Sequence, residues 1–228
     1  MTRNTLVAVL ALTTAGLLSG CAGAQPGVAA QVGDETIQVS DVNRLSDGYC
    51  AAYERQLEGD GTVLPMEVVT SNVVQTLTMT AVARQLAEEH GVEPSTTYEQ
   101  NLANLEQAGD ALADDAGEAK VTIESGLAYV NDILEQVGRK TLAEDGVTDP
   151  TVEDATARGK ELLSTWIAVN EPEIDPQYGL KLVELQPEYV DTAVSFPVSD
   201  SAKGGALAPG DEDQAAYART LPDSQRCG

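Results

Sequence analysis

The sequence predicts a mostly α-helical protein with a short N-terminal β-hairpin and a C-terminal strand followed by an extended tail. Composition is the first reason: 42% of the residues are hydrophobic, but only 4% are aromatic. A core of this kind is built from Ala, Val, Leu and Ile, which suits packed helices better than a large β-sandwich. The second reason is that apolar residues recur at helical spacing over most of residues 40–170, whereas strand-like patterns are short.

Residues 1–20 have the features of an export signal and are excluded from the fold. Arg3 gives a cationic start, and the apolar run over residues 6–18 is too short for a spanning helix of about 20 residues. Residues 18–21, Leu-Ser-Gly-Cys, then match a bacterial lipobox, which predicts that Cys21 begins the mature protein and carries diacylglycerol. The alternative is an ordinary cleaved signal followed by a chance cysteine.

The lipobox also predicts a location. We expect acyl chains to anchor the protein to the outer face of the bacterial cell membrane, because two or three chains hold a bilayer far more firmly than one. Residues 21–27, which contain Pro, Gly and Ala, are expected to form a flexible tether between the lipid and the folded domain.

The folded domain is predicted over residues 28–170 and opens with the hairpin. Residues 29–32 and 36–39 are short apolar and β-branched stretches on either side of a turn at Gly33. Three helices follow, each opened by a capping residue or proline and closed near a glycine. Their expected limits are Ser40 to Gly59 and Gly61, Pro65 to His90 and Gly91, and Ser95 to the Gly109 region. The second of them is the predicted central core helix.

Two more helices and a tail complete the prediction. Residues 109–120 are polar and rich in Asp and Ala, and we expect them to be exposed or to form a loop. A fourth helix is predicted over residues 121–137, ending near Gly138, and a fifth begins at residues 148–150, with the proline just inside. Residues 171–228 are expected to hold a strand at 180–185 and an extended tail that packs on the helical domain.

Charge excludes one class of partner. The chain has 37 acidic and 13 basic residues, for a net charge of −24. Such a surface repels phosphate backbones and anionic headgroups, so no nucleic-acid binding is expected. The acids are scattered rather than grouped in blocks, which favours a role in solvation over a role in binding a partner.

Cysteine usage predicts one covalent link. If Cys21 is lipidated, Cys50 and Cys227 are the remaining thiols, and a pair in an oxidising compartment usually forms a bridge. We therefore predict a Cys50–Cys227 disulfide that ties the tail to the first helix. No Cys-x-x-Cys spacing and only one histidine are present, so no metal site or cofactor is expected.

Three segments together carry a family resemblance. Residues 28–42 combine a Gly-centred hairpin with a helix start, residues 87–95 combine a helix, a Gly turn and a capped next helix, and residues 146–152 contain a later helix start. In this order they resemble the N-terminal domain of the SurA and PrsA group of extracytoplasmic chaperones. The resemblance covers residues 28 to about 170, and a lipid anchor is usual in PrsA-like members.

The resemblance implies binding of unfolded polypeptides rather than catalysis. Family members that isomerise prolines carry an inserted parvulin domain of about 90 residues, the size of an independent domain, and this chain has no such insert. We therefore expect a holdase that is not an enzyme. The alternative is a non-catalytic envelope scaffold whose groove is filled by its own tail. A prolyl isomerase is the third and least favoured hypothesis.

Residues that would line a client groove are tyrosines and methionines at helical spacing, for which the competing interpretation is ordinary core packing. They are Tyr49, Tyr53, Met66, Met79, Tyr98 and Tyr129.

The sequence contains only weak signals for catalysis or metal binding. His90 is expected to sit at a helix C-terminus because of the helix dipole rather than to act as a base or ligand. No Gly-x-Ser-x-Gly elbow is present. Two acidic groups are candidates for weak calcium binding, although neither follows the calcium-loop pattern, so no specific site is expected. They are Asp110, Asp114 and Asp115, and Asp211, Glu212 and Asp213.

Overall fold

The computed structural model describes residues 26–183, 186–189, 197–207, 211 and 213–228. Within these residues the protein is mostly helical, with a strand pair near the N-terminus and small strands toward the C-terminus, which confirms the predicted fold class. The predicted leader, the predicted lipidation residue Cys21 and most of the predicted tether lie outside the described residues.

Long helices form the body, and short strands and helices flank them. The elements in chain order are β1 (Val28–Val32), β2 (Glu35–Gln38), α1 (Val39–Asp60), β3 (Leu64–Pro65), α2 (Met66–His90), α3 (Thr96–Gly109), α4 (Asp114–Glu144), α5 (Val152–Asn170), β4 (Glu173–Ile174), β5 (Leu180–Val183), β6 (Gln186–Tyr189), α6 (Asp200–Gly205), α7 (Gln214–Ala218) and β7 (Arg226–Cys227). Turns of 3-10 helix cover Pro176–Tyr178 and Asp223–Gln225.

The predicted hairpin is present and carries a third strand. β1 pairs antiparallel with β2, with Val32 opposite Glu35, and Gly33 takes the left-handed conformation that the tight turn needs, at φ 55°. β4 pairs with the other edge of β1, which gives the sheet order β2-β1-β4. This sheet brings the chain after α5 back beside its beginning.

α2 is a core helix, as predicted, because about half of its residues are buried, but α4 is the helix that packs against each of the other four long helices. One part of the core joins Leu86 of α2 to Ile133 of α4 and Leu163 of α5. A second part joins Val73 of α2 to Val42 of α1 and to Ile123 of α4. Because α2 and α4 contribute to both parts, these two helices hold the body together.

Glycines allow an unusually close contact between α4 and α5, the closest of those that the described glycines make. A Cβ on Gly138 would lie 1.8 Å from the carbonyl oxygen of Ala155, and a Cβ on Gly159 would lie 1.9 Å from that of Leu134. Only glycine fits at such a distance, so the two helix backbones touch directly. Gly138 is therefore a packing residue and not the helix end that the sequence predicted, and α4 continues to Glu144.

The tail segment, which we define as residues 213–228, is docked at the end of α1 and the start of α2. Leu64 of β3 pairs with Cys227 of β7, and the Arg219 guanidinium donates to the Gly61 carbonyl at 2.9 Å. Cys50 and Cys227 are joined by a disulfide with their Cα atoms 5.6 Å apart, and Cys227 is only 2% exposed. The tail segment contains α7 and a 3-10 turn, so this part of the tail is more ordered than the extended chain predicted.

Two predicted helix starts are wrong by one to three residues. α1 begins at Val39, whose N–H donates to the Gly27 carbonyl at 2.8 Å. A backbone carbonyl before the hairpin therefore caps this end of the helix, and the predicted Ser40 side-chain cap is absent. α5 is capped by Thr151, whose hydroxyl accepts from the Asp154 N–H at 3.1 Å, and Pro150 lies before the helix rather than inside it.

The prediction of a loop or exposed chain over residues 109–120 is also wrong in its second half, because α4 begins at Asp114. Ala116 and Ala119 are buried. Gly48 of α1 packs on this first turn so closely that a Cβ there would lie 2.5 Å from the Asp115 carbonyl oxygen. Small residues that looked like loop composition are what allow α1 to approach α4. The acids of this stretch occupy the first turn, where the helix dipole favours them.

Candidate functional site

The structure places the six predicted groove residues in three different environments. Met79 is 8% exposed and belongs to the core, as the competing interpretation held. Met66 is partly buried at the first residue of α2, beside the docked tail segment. The four tyrosines form two ring pairs, both next to α4. The candidate site is therefore α4 between Lys120 and Asp132, with the helices that cover it.

The first ring pair lies on α1. Tyr49 and Tyr53 are four residues apart, so they share a helix face, and their ring centroids are 5.0 Å apart. The Tyr53 hydroxyl donates to the Glu124 carboxylate of α4 and accepts from the Lys120 ammonium at 2.6 Å. The same ammonium is 2.5 Å from Glu124 and lies 4.6 Å from the Tyr53 ring centroid, within cation–π distance.

Electrostatics keep Tyr49 and Lys120 each in one protonation state. Burial raises the pKa of Tyr49 to about 12, and the neighbouring Tyr53 and Glu124 add to the rise. Burial alone would lower the pKa of Lys120, but its hydrogen bonds to Glu124 and Tyr53 outweigh burial and raise it. The Tyr49 phenol stays neutral and the Lys120 ammonium stays charged, so this contact between α1 and α4 is already satisfied within the chain.

The second ring pair joins α3 to α4. Tyr98 and Tyr129 meet edge to face with centroids 5.5 Å apart. Ser95 holds the start of α3 in place: its hydroxyl accepts from the Tyr98 N–H at 3.2 Å, and the Asp132 carboxylate of α4 accepts from the Ser95 N–H at 2.8 Å. Because this cap is built from both helices, it holds the start of α3, with the Tyr98 backbone, against α4.

Charged groups surround the second pair. Burial raises the pKa of Tyr98 and of Tyr129, and the negative charge of Asp132 raises both further. The Arg84 guanidinium of α2 acts in the opposite direction on both rings. That guanidinium is ion-paired with Glu35 of β2. The second pair therefore presents neutral, partly buried aromatic rings in a surrounding rich in carboxylates.

Sequence reasoning found the tyrosines but missed their polar partners. Lys120 and Glu124 are spaced i, i+4, which is the spacing of a helix ion pair, but the polar composition of residues 109–120 predicts an exposed segment or a loop there. Asp132 carries no local signal, because its partner Ser95 is 37 positions away in the chain.

The other sequence candidates take structural positions. His90 ends α2, as predicted, and its carbonyl accepts from the Lys140 ammonium at 2.5 Å. Asp110 caps the end of α3, while Asp114 and Asp115 begin α4. In the described part of the chain, no group of three or more His, Cys, Asp or Glu side chains is arranged to hold a metal ion. Glu212 of the second acidic group lies outside the described residues.

Chemically, α4 offers ring faces and carboxylates for noncovalent binding. Among the described helices, none combines the length and apolar character needed to cross a bilayer. Comparison of the chain with family models, with curated proteins and with solved structures gave no match. The resemblance to the SurA and PrsA group therefore stays a prediction from the sequence.

Proposed function

We propose that this protein is a lipid-anchored extracytoplasmic holdase, which binds unfolded or exported polypeptides without chemical change. The observation that carries the proposal is the Tyr98–Tyr129 pair, held partly exposed and preorganised by the Ser95–Asp132 cap. Tyrosine rings supply a large contact area at a low cost in side-chain entropy, and they accept both apolar groups and hydrogen bonds from a client.

The surface charge supports the same function. A net charge of −24 keeps the protein soluble while it holds an aggregation-prone client. The predicted leader and lipobox would place it outside the cell membrane, where exported chains emerge unfolded. Mass spectrometry of the N-terminal peptide tests this location, since a diacylated Cys21 is expected and an unmodified cysteine would contradict the anchor.

Suppression of aggregation tests the holdase activity. The full-length protein, in mild detergent, is mixed with guanidinium-denatured citrate synthase as the denaturant is diluted. Light scattering should fall in proportion to the protein added. Replacing both rings with Tyr98→Ser and Tyr129→Ser should raise the amount of protein needed about thirtyfold, since two hot-spot aromatic residues at roughly 1 kcal/mol each contribute about 2 kcal/mol together.

A matched variant separates the site from a general effect. Tyr217→Ser removes a partly buried tyrosine of α7 that contacts Gly204 and Gly205 rather than α4, and it should leave suppression unchanged. Equal loss in both variants would contradict the assignment of the site. The same preparation should not accelerate a proline-limited refolding reaction. Acceleration would contradict the proposal of a non-catalytic holdase and support the prolyl isomerase hypothesis.

The second candidate function is a non-catalytic envelope scaffold, and the docked tail segment is the observation that favours it. The tail segment is held through the β3–β7 pairing and the disulfide, and Cys227 and Ala218 are buried. A chain whose apolar end is already covered by its own tail has less surface to offer to clients. If the Cys227→Ser variant suppresses aggregation and the parent protein does not, the tail is inhibitory and the scaffold is favoured.

A further inference from the structure

Both ring pairs beside α4 lie near a carboxylate, Glu124 at the first pair and Asp132 at the second, but among the described residues only the first pair has a cation against a ring. At the first pair, the Lys120 ammonium lies 4.6 Å from the Tyr53 ring centroid and 2.5 Å from the Glu124 carboxylate. A cation between an aromatic face and a carboxylate is attracted by both the ring quadrupole and the negative charge. Within this chain, a ring face and a carboxylate at the first pair therefore hold a cation.

The second pair has the rings and the negative charges without that cation. Asp132 acts on both Tyr98 and Tyr129, while Glu106 acts on Tyr98 and Glu93 on Tyr129. In the part of the chain that the structure describes, the contact of Lys120 with Tyr53 is the one cation–π contact.

Arg84 is the cation whose charge acts on the second pair, because it lowers the pKa of both Tyr98 and Tyr129. Its guanidinium is ion-paired with Glu35 on the sheet instead of stacking on either tyrosine. The second pair is therefore an aromatic and acidic site that no cation of the described chain fills.

We propose that the Tyr98–Tyr129 pair is the part of the client site that receives arginine and lysine side chains of an extended polypeptide. This inference rests on the proposed function and names the class of client. Charge complementarity supports it, because 37 acidic and 13 basic residues produce a field that attracts cationic segments and increases their rate of encounter. The Ser95–Asp132 cap supports it as well, because a helix start that is already held against α4 loses little backbone freedom on binding.

Peptide binding tests the proposal on the full-length protein in mild detergent. The probe is a fluorescein-labelled, unstructured peptide of alternating leucine and arginine, and the matched peptides carry glutamine or glutamate in place of arginine. Fluorescence anisotropy should show the order arginine, then glutamine, then glutamate. Tyr98→Leu or Tyr129→Leu should weaken arginine-peptide binding about fivefold, equivalent to about 1 kcal/mol, and leave glutamine-peptide binding unchanged.

Four further variants separate ring chemistry from net charge and from misfolding. Tyr98→Phe and Tyr129→Phe keep the ring faces and should bind the arginine peptide like the parent, so a fold damaged by leucine would not be mistaken for the effect. Tyr217→Leu, which changes a partly buried tyrosine of α7 outside the candidate site, is the matched control and should also leave binding unchanged. Arg84→Gln removes a competing positive charge and should tighten arginine-peptide binding about twofold.

The outcomes distinguish this inference from the holdase proposal. An arginine preference that persists in both leucine variants would assign the preference to the general acidic surface and overturn the inference. Weaker arginine-peptide binding in Arg84→Gln would overturn it too, because that residue would then be receiving an anionic group. Ring-dependent arginine binding without suppression of aggregation would support the cation site and contradict the holdase, whereas suppression with no arginine preference would do the reverse.

Discussion

Adding one methyl group at Gly138 should separate the two most closely packed helices. In a Gly138→Ala variant the new Cβ would lie 1.8 Å from the Ala155 carbonyl oxygen, whereas real Cβ contacts essentially never fall below 3.0 Å. α5 must then move away from α4 by at least 3.0 − 1.8 = 1.2 Å. The obstacle is backbone, so no side-chain rotation relieves it. The move loosens the packing of Leu134 and Leu163 in the core between these helices.

The expected cost follows from two opposing terms. Forced overpacking of a core typically destabilises by about 1–3 kcal/mol and occasionally by more, and a backbone clash belongs at the upper end. Replacing glycine by alanine inside a helix returns at most about 1 kcal/mol. We therefore expect the free energy of unfolding to fall by about 2 kcal/mol or more.

Urea denaturation followed by the helical circular dichroism signal measures this change. The matched control is Gly59→Ala in the last turn of α1, where an added Cβ meets nothing within 4 Å. That variant should be as stable as the parent or more stable by about 0.5 kcal/mol. If Gly138→Ala and Gly59→Ala both proved neutral or stabilising, the direct backbone contact between α4 and α5 would be refuted.

Three other perturbations test separate parts of the structure. Cys227→Ser removes a bridge between residues 177 positions apart, and it should lower stability by about 2–5 kcal/mol and let a protease cleave the tail segment first. Ser95→Ala removes the α3 cap and should cost about 1 kcal/mol in urea denaturation, with α3 losing amide-exchange protection before the core. Tyr49 holds its proton more tightly when folded, so stability should fall as pH rises from its ordinary pKa of 10.0 toward the raised value of about 12, and Tyr49→Phe should reduce that slope in denaturation curves recorded across this range.

The sequence predicted the features that depend on neighbouring residues. The ends of α1 and α2 are glycines in the left-handed conformation at Gly61 and Gly91, and the α3 cap is Ser95. Each is a local signal that acts within one helical turn, so no knowledge of the rest of the fold is needed.

Features that depend on distant contacts were missed. β4 and β7 are two residues long, and each exists only because a strand far along the chain pairs with it. The small residues of α4 look like loop or helix-end signals in the sequence, although Gly138 is internal and mediates contact with α5. A glycine that ends a helix and a glycine that admits a neighbouring helix look identical in one sequence.

The candidate site also contains one feature that local spacing predicts and one that it does not. Tyr49 and Tyr53 share a face because of their spacing, and this could be predicted. The partnership of Tyr98 with Tyr129 depends on how α3 folds back on α4, so periodicity alone could not reveal it.

The order of synthesis along the chain limits how the Cys50–Cys227 disulfide can affect folding. All of α2, α3, α4 and α5 is synthesised between the first sulfur, in α1, and the second, in β7. The helical body can thus collapse before Cys227, the partner of Cys50, has been synthesised. Interactions that form after the rate-limiting barrier mainly slow unfolding. The covalent link should therefore act as a kinetic lock on a finished structure, extending its lifetime without hastening its assembly.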